Sequence, residues 1–156
     1  MSAAKTSFYK RSNFVTHLPV DYLYSPSHFW LSRLELNRWR VGFTKFATRM
    51  LGDIVDIQFQ KEAGDAVANG EIIGSIEGFK AISDIYCVAD GRFATLNPVV
   101  RENAALIAEA PYADGWLYEF EGEPDPRCAD VDSYRALLDA TIDRMLAKQQ
   151  GAEEQT

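Results

Sequence analysis

The chain has 156 residues, of which 47% are hydrophobic and 12% aromatic. That is enough apolar material for one domain with a hydrophobic core and too much for a disordered chain. The formal net charge of -7 disfavours nucleic acid and anionic membranes as partners, because both select basic surfaces. The sequence shows neither an apolar run of the roughly 20 residues that a membrane-spanning helix needs nor an N-terminal secretory signal. We therefore expect a cytoplasmic protein that meets basic protein surfaces, with no contact to nucleic acid or membrane.

Residues 1–24 mix basic and aromatic side chains without a clear strand or helix period. Their aromatic residues are Phe8, Tyr9, Phe14, Tyr22 and Tyr24. This aromatic content argues against disorder. We expect an N-terminal extension that lies against the rest of the domain or against a partner.

The segment from Phe29 to Phe43 predicts a β-hairpin. Phe29, Leu31 and Leu34 lead to a turn at Glu35–Asn37, after which apolar and polar residues alternate strictly from Arg38 to Phe43, which gives the hairpin one apolar face. The hairpin opens a predicted β-sandwich core over residues 25–121.

A short helix is predicted next. The hydroxyl of Thr44 can accept hydrogen bonds from the free amides of a first helical turn, and Gly52 can end the helix. Alternation resumes in Asp53–Phe59, which predicts another strand.

Ile72–Val88 consists of two β-rich runs with a polar interruption at Glu77–Lys80. This pattern predicts a hairpin with Lys80 at its tip, and we expect Gly78 to supply a positive φ in the turn. A lysine there would be exposed. The local pattern alone does not separate a functional lysine from a solvated surface charge.

An internal repeat relates the two halves of the core. Val67, Gly70 and Ile73 have the same spacing as Val100, Asn103 and Leu106. Gly and Asn accept the left-handed backbone region most readily, so equivalent turns at Gly70 and Asn103 are expected. Two such halves would pack around a pseudo-twofold axis as a flattened β-sandwich or barrel, linked by an Asp90–Gly91 turn.

The C-terminal part begins with a turn-rich segment at Pro111–Trp116, and Leu117–Glu121 predicts the last strand. An apolar stripe then predicts a helix over residues 131–148, which should pack on the sandwich. Residues 149–156 are expected to be a flexible tail, so that residues 1–148 form a single domain.

Catalytic and metal-binding patterns are not apparent. The sequence contains no Ser-His-Asp or Cys-His set, no Gly-rich phosphate loop and no carboxylate pair placed for acid–base work. We expect Cys87 and Cys128 to be reduced, and His28 to be a hydrogen-bonded structural residue and not a metal ligand. The sequence therefore favours a protein that is not an enzyme.

Six segments together resemble the lipoyl-carrier H proteins of the glycine cleavage system, in the order and with the spacing of that family. They are His28-Phe29-Trp30, Val41-Gly42-Phe43-Thr44, Leu51-Gly52-Asp53-Ile54-Val55, Gly64-Asp65-Ala66-Val67, Glu77-Gly78-Phe79-Lys80-Ala81 and Pro111-Tyr112-Ala113-Asp114-Gly115-Trp116.

The resemblance implies a lipoyl/biotinyl-type hybrid β-sandwich with lipoic acid amide-linked to Lys80. It implies that the residues around Lys80 help a lipoate ligase or lipoyl transferase to recognise the attachment site. The recognition residues are Glu77, Gly78, Phe79, Ala81 and Asp84.

Four features look more like the lipoate-binding proteins of the sulfur-oxidising heterodisulfide-reductase-like pathway: the start Ser25–Trp30, the run Trp39–Ala47, the tip Glu77–Ala81 and the aromatic extension. That similarity implies an arm that handles sulfur intermediates or electrons, with the reductase-like complex and a dihydrolipoamide dehydrogenase as partners. Two alternatives are a glycine cleavage H protein that shuttles an aminomethyl group and an unmodified structural or regulatory binding module. For Phe79 we expect contact with the arm or with a partner, the alternative being that its ring folds back and plugs the core.

Overall fold

The computed structural model describes residues 5–154, and within this range the chain forms eleven strands and four helices. The strands are β1 (Thr6–Arg11), β2 (Phe14–Pro19), β3 (Leu23–Tyr24), β4 (Phe29–Glu35), β5 (Arg38–Phe43), β6 (Ile54–Phe59), β7 (Ala66–Val67), β8 (Ile72–Gly78), β9 (Ile82–Tyr86), β10 (Ala89–Leu96) and β11 (Tyr118–Pro124). The helices are α1 (Lys45–Leu51), α2 (Pro98–Glu102), α3 (Leu106–Glu109) and α4 (Val131–Glu154). None of these helices is both long enough and apolar enough to cross a membrane.

The sandwich consists of two antiparallel sheets. The larger has the strand order β3-β4-β5-β11-β10-β7, and the smaller has the order β6-β8-β9. Side chains from both sheets share one core, for example Val41 and Phe120 from the larger sheet with Ile57, Ile76 and Ile85 from the smaller. The predicted mainly β class and the sandwich are thus confirmed, although the sheets do not close into a barrel.

Two details of the predicted repeat are wrong. Asp90 and Gly91 lie inside β10 and do not form a turn, because Gly91 pairs with Gly122 of β11 where the two backbones approach too closely for a Cβ atom. Gly70 has the expected positive φ of 86°, but Asn103 has a φ of -138° and caps the C-terminus of α2. The two halves therefore do not share equivalent left-handed turns.

The C-terminal elements are longer than expected. Strand β11 continues to Pro124, past the predicted end at Glu121. Helix α4 continues to Glu154, so residues 149–154, which were expected to be a flexible tail, are helical. The last two residues of that tail lie outside the described range.

The N-terminal extension forms a separate β1–β2 hairpin that packs on α4. Tyr9 and Phe14 share a second buried cluster with Leu138 and Ile142 of α4. At its rim the Tyr9 hydroxyl donates to Asp139 Oδ1 at 2.8 Å, and the Arg11 guanidinium binds Asp143 at 2.8 Å. The hairpin therefore lies against the domain, on the side that α4 covers.

A buried hydrogen-bond network joins α1 to α4. The Tyr134 hydroxyl lies 2.8 Å from both His28 Nδ1 and Oγ1 of Thr44, whose side chain also caps α1 as predicted. Burial lowers the pKa of His28 to about 4, so its ring is neutral near neutral pH. His28 is thus the hydrogen-bonded structural residue that the sequence predicted.

The turn at the end of α1, Leu51–Asp53, supports the tip of the β8–β9 hairpin and is called the seat below. The amide of Phe79 donates to the Asp53 carbonyl and the amide of Lys80 to the Leu51 carbonyl, each at 2.9 Å. Gly52 ends α1 as predicted, with a φ of 78°, and a Cβ atom there would lie 3.0 Å from Lys80 Cγ. The two segments are therefore in close backbone contact.

Gly78 allows this close backbone contact and does not supply a positive φ for the hairpin turn. Its φ is not positive, contrary to our expectation, and it is the last residue of β8. A Cβ atom at Gly78 would collide with the carbonyl oxygen of Leu51. A glycine is required here because the hairpin approaches the seat so closely.

We predict that Gly78→Ala lowers the free energy of unfolding by about 1–3 kcal/mol, the usual cost of overpacking, because either the tip or Leu51 must move. Thermal or urea unfolding measures this loss. Gly151→Ala is the control, since its Cβ would meet nothing within 4 Å. Equal stability of Gly78→Ala and wild type, with unchanged amide shifts at Lys80, would contradict the seat.

His28 predicts a pH effect on stability. Its pKa falls from 6.5 in the unfolded chain to about 4 in the fold, so the unfolded state binds more protons across this window and stability falls as the pH drops through it. In His28→Asn, which tolerates the φ of 70° at this position, the melting temperature should fall less than in wild type between about pH 7 and about pH 4.5. An equal decline in both proteins would show that His28 does not contribute.

Candidate functional site

The candidate site is the two-residue loop Phe79–Lys80 at the tip of the β8–β9 hairpin. The Gly78 amide donates to the Ala81 carbonyl at 2.9 Å and closes the loop, while the seat holds the loop amides from below. The side chains of Phe79, Lys80 and Ala81 are exposed. The chain thus fixes the backbone of the tip and leaves its side chains in solvent.

Lys80 extends from this tip with its amine accessible. Its Nζ lies 3.4 Å from the Arg49 carbonyl oxygen at the end of α1, and among the described residues it makes no salt bridge. Lys61 offers a contrast, because its Nζ lies 2.6 Å from Glu71 and that hydrogen bond raises the pKa of Lys61. Lys80 is therefore the freer of these two amines.

Phe79 is 79% exposed, so the alternative in which its ring plugs the core is wrong. Glu77 and Asp84 are also exposed, on β8 and β9 below the tip. Glu77 pairs in register with Ile82, next to the loop, whereas Asp84 lies further down β9 opposite Ser75. The predicted recognition residues thus gather at one end of the smaller sheet, with Asp84 the most distant from Lys80.

The sequence reading missed the residues of the seat. Leu51, Gly52 and Asp53 were assigned to a helix end and a strand start, yet they contact the Phe79–Lys80 loop. Leu51 and Asp53 contribute backbone carbonyls, which no side-chain pattern reveals. The one available signal was the glycine at position 52, whose second role is close approach to Lys80.

A cleft of about 350 Å³ opens beside Lys80. Its walls come from the turn between β1 and β2, from α1 and from the C-terminal half of α4. The lining residues with apolar side chains are Phe14, Phe46, Met50, Ile142, Met145 and Leu146. A second cleft of about 390 Å³ borders both Lys80 and Phe79 next to Gly52 and Asp53. An extended group on Lys80 therefore has apolar surface within reach.

Among the lining residues that the structure describes, the first cleft has two arginines and no carboxylate. Arg11 forms salt bridges with Asp139 and Asp143, which offset its charge. Its hydrogen bond to Asp143 holds the pKa of that carboxyl below its usual value. Arg49 donates to the Asn13 carbonyl at 3.3 Å and lies over the Phe14 ring. Arg49 makes no salt bridge with any carboxylate whose position the structure describes.

The remaining chemistry-bearing side chains are structural. Both cysteines are free thiols, with Cys87 in the main core and Cys128 packed against it, and burial raises the pKa of the Cys128 thiol to about 12. Between residues 5 and 154 no group of three or more His, Cys, Asp or Glu side chains could hold a metal ion.

Comparison with known proteins places this geometry in a family. The model of the glycine cleavage H-protein family matches residues 22–144, so the match begins after the β1–β2 hairpin. The glycine cleavage system H protein of Corynebacterium jeikeium is 38% identical over 125 residues, which cover 78% of this chain and 98% of that protein. The corresponding protein of Kocuria rhizophila is 34% identical over 129 residues, covering 80% and 100%.

A solved structure agrees. The crystal structure of a glycine cleavage system H protein from Mycobacterium marinum has a TM-score of 0.70 to this chain at 31% sequence identity, and covers 76% of this chain and 97% of that one. Glycine cleavage H proteins carry a lipoyl group on a lysine and are carriers, not catalysts. The chain belongs to the glycine cleavage H-protein family and is a lipoyl carrier.

Proposed function

We propose that Lys80 is the lipoylated residue and that the protein shuttles an aminomethyl group between the enzymes of a cytoplasmic glycine cleavage system. The observation that carries the proposal is the exposed amine of Lys80 on a tip whose backbone is held by the seat. The near-complete coverage of H proteins from two bacteria supports the aminomethyl cargo.

The residues at the tip fit an amide-linked lipoyl group. Lys80 offers an amine without a carboxylate partner in the described range, and the neighbouring clefts offer apolar surface to a hydrocarbon chain. When attached, the lipoyl group supplies a dithiolane that cycles between disulfide and dithiol. The chain itself fixes the root of the arm through the seat.

The other tip residues have separate proposed roles. Glu77 and Asp84 present charge to a lipoate ligase or lipoyl transferase, and the small side chain of Ala81 leaves Lys80 open to it. Gly78 lets the hairpin reach the seat. A dihydrolipoamide dehydrogenase is the proposed partner that reoxidises the arm.

A second candidate function is the transport of sulfur intermediates to a heterodisulfide-reductase-like complex. Arg49 of the first cleft favours it, because an anionic sulfur group would meet its guanidinium, whereas a protonated amine cargo finds no carboxylate among the lining residues that the structure describes. The Gly78-Phe79 pair before Lys80 also resembles that class of carrier. If Lys80 is not lipoylated, the remaining hypothesis is an unmodified binding module.

We predict that a lipoate ligase adds one lipoyl group to the wild-type chain and none to Lys80→Arg, which keeps the charge but has no acylable amine. Intact-mass measurement after incubation with lipoate and ATP reads the result. Lys61→Arg is the matched control and should be modified like wild type. Lys80 is exposed, so the stability of Lys80→Arg should stay within about 0.5 kcal/mol of wild type. A lipoyl group on another lysine of Lys80→Arg would overturn the assignment.

The cargo is tested with the lipoylated chain and two enzyme systems. We expect the lipoylated wild-type chain to support the release of CO₂ from glycine by a glycine cleavage decarboxylase, at a rate proportional to the concentration of the chain. Lys80→Arg should not support this reaction. The sulfur cargo replaces the aminomethyl cargo if the chain supports no turnover of glycine but does support turnover by a heterodisulfide-reductase-like complex, and if Arg49→Met slows the second reaction. Turnover in neither system would refute both.

A further inference from the structure

The outer face of the smaller sheet combines exposed apolar and acidic side chains directly below the tip. Phe79 and Ile82 are 79% and 74% exposed, and Val55 is 52% exposed where the register between β6 and β8 shifts. Exposed side chains of this size rarely cluster on a surface that meets only water.

The charges on this face all have one sign. Asp56, Glu77 and Asp84 project from β6, β8 and β9, and Asp53 lies at the seat beside them. The three strands contain no lysine or arginine. Within the described residues none of these four carboxylates makes a salt bridge. The carboxylates are thus available to a partner.

We propose that this face is the docking surface for a partner enzyme, whose own surface has a basic rim around an apolar pocket that receives Phe79 and Ile82. The charge complementarity selects this occupant. A second copy of the chain would place carboxylates against carboxylates, which is unfavourable. The proposal rests on the carrier function, because the face adjoins the root of the arm and docking there brings Lys80 to the partner.

The modification itself strengthens this docking. An unmodified Lys80 places a cation next to the carboxylates and facing the basic rim of the partner, whereas amide formation removes that charge. The partner therefore binds the modified tip more tightly than the unmodified one, even without contact to the far end of the arm. The expected difference is a few-fold and decreases with salt, because the charges are exposed.

A competition experiment tests the proposal without requiring each variant to be lipoylated. A dihydrolipoamide dehydrogenase reduces the lipoylated wild-type chain with NADH, and unmodified chains are added as competitive inhibitors. Lys80→Gln, which lacks the charge as the amide does, should inhibit more strongly than Lys80→Arg. In the Lys80→Gln background, the pair Phe79→Ser and Ile82→Thr should raise the inhibition constant about tenfold or more, and Glu77→Gln should raise it and weaken its salt dependence.

Matched controls lie on the other sheet. Leu36→Ser removes an 86% exposed apolar side chain from the β4–β5 turn, and Glu123→Gln removes an exposed charge from β11. Both should inhibit like their Lys80→Gln parent. The proposed docking face is refuted if the tip variants inhibit the enzyme as strongly as the controls do, or if no unmodified chain inhibits it. Failure of the enzyme to reduce the lipoylated wild-type chain would instead count against the carrier function itself, and would remove this partner from the proposal.

Discussion

Two backbone hydrogen bonds between the Phe79–Lys80 loop and the turn after α1 organise the candidate site. They join segments that are far apart in the chain, and they form because Gly52 and Gly78 let the two backbones approach each other. A hairpin tip without such support frays easily, since its loop amides would face water. The contact resolves two opposing demands on a carrier, namely a fixed attachment point and a side chain free to move.

The surroundings of Lys80 divide into surfaces of different character. The cleft formed by the β1–β2 turn, α1 and α4 is apolar with arginine at its edge, whereas the outer face of the smaller sheet is apolar with carboxylates. The matched family region starts at residue 22, so the β1–β2 wall of the cleft lies outside it. The family match therefore covers the tip, α1 and α4 up to residue 144, and leaves out the β1–β2 wall of the cleft.

Much of the core was predictable from alternating hydropathy or from β-rich runs bounded by turn residues. β5 follows the period of two, β8 and β9 are rich in β-formers on either side of a polar interruption, and both hairpins appear where expected. β2 escaped detection because its buried set includes Thr16 and its exposed set includes Val15, so that burial alternates while hydropathy does not.

The seat could not be predicted, because its acceptors are main-chain carbonyls. The misassigned role of Gly78 has a related cause. A glycine supplies either a positive φ or room for a neighbouring backbone, and sequence alone does not say which one a position needs. The last turns of α4 were missed because Gln149 and Gln150 add no apolar stripe for a periodicity argument to follow.

The most direct test of this account is the peptide mass spectrum of the protein purified from its native host. We expect the peptide that contains Lys80 to carry one lipoyl group and the peptides with the other lysines, Lys61 included, to be unmodified. A native protein whose Lys80 is unmodified under conditions where the other lipoylated proteins of the host are fully modified would contradict the account.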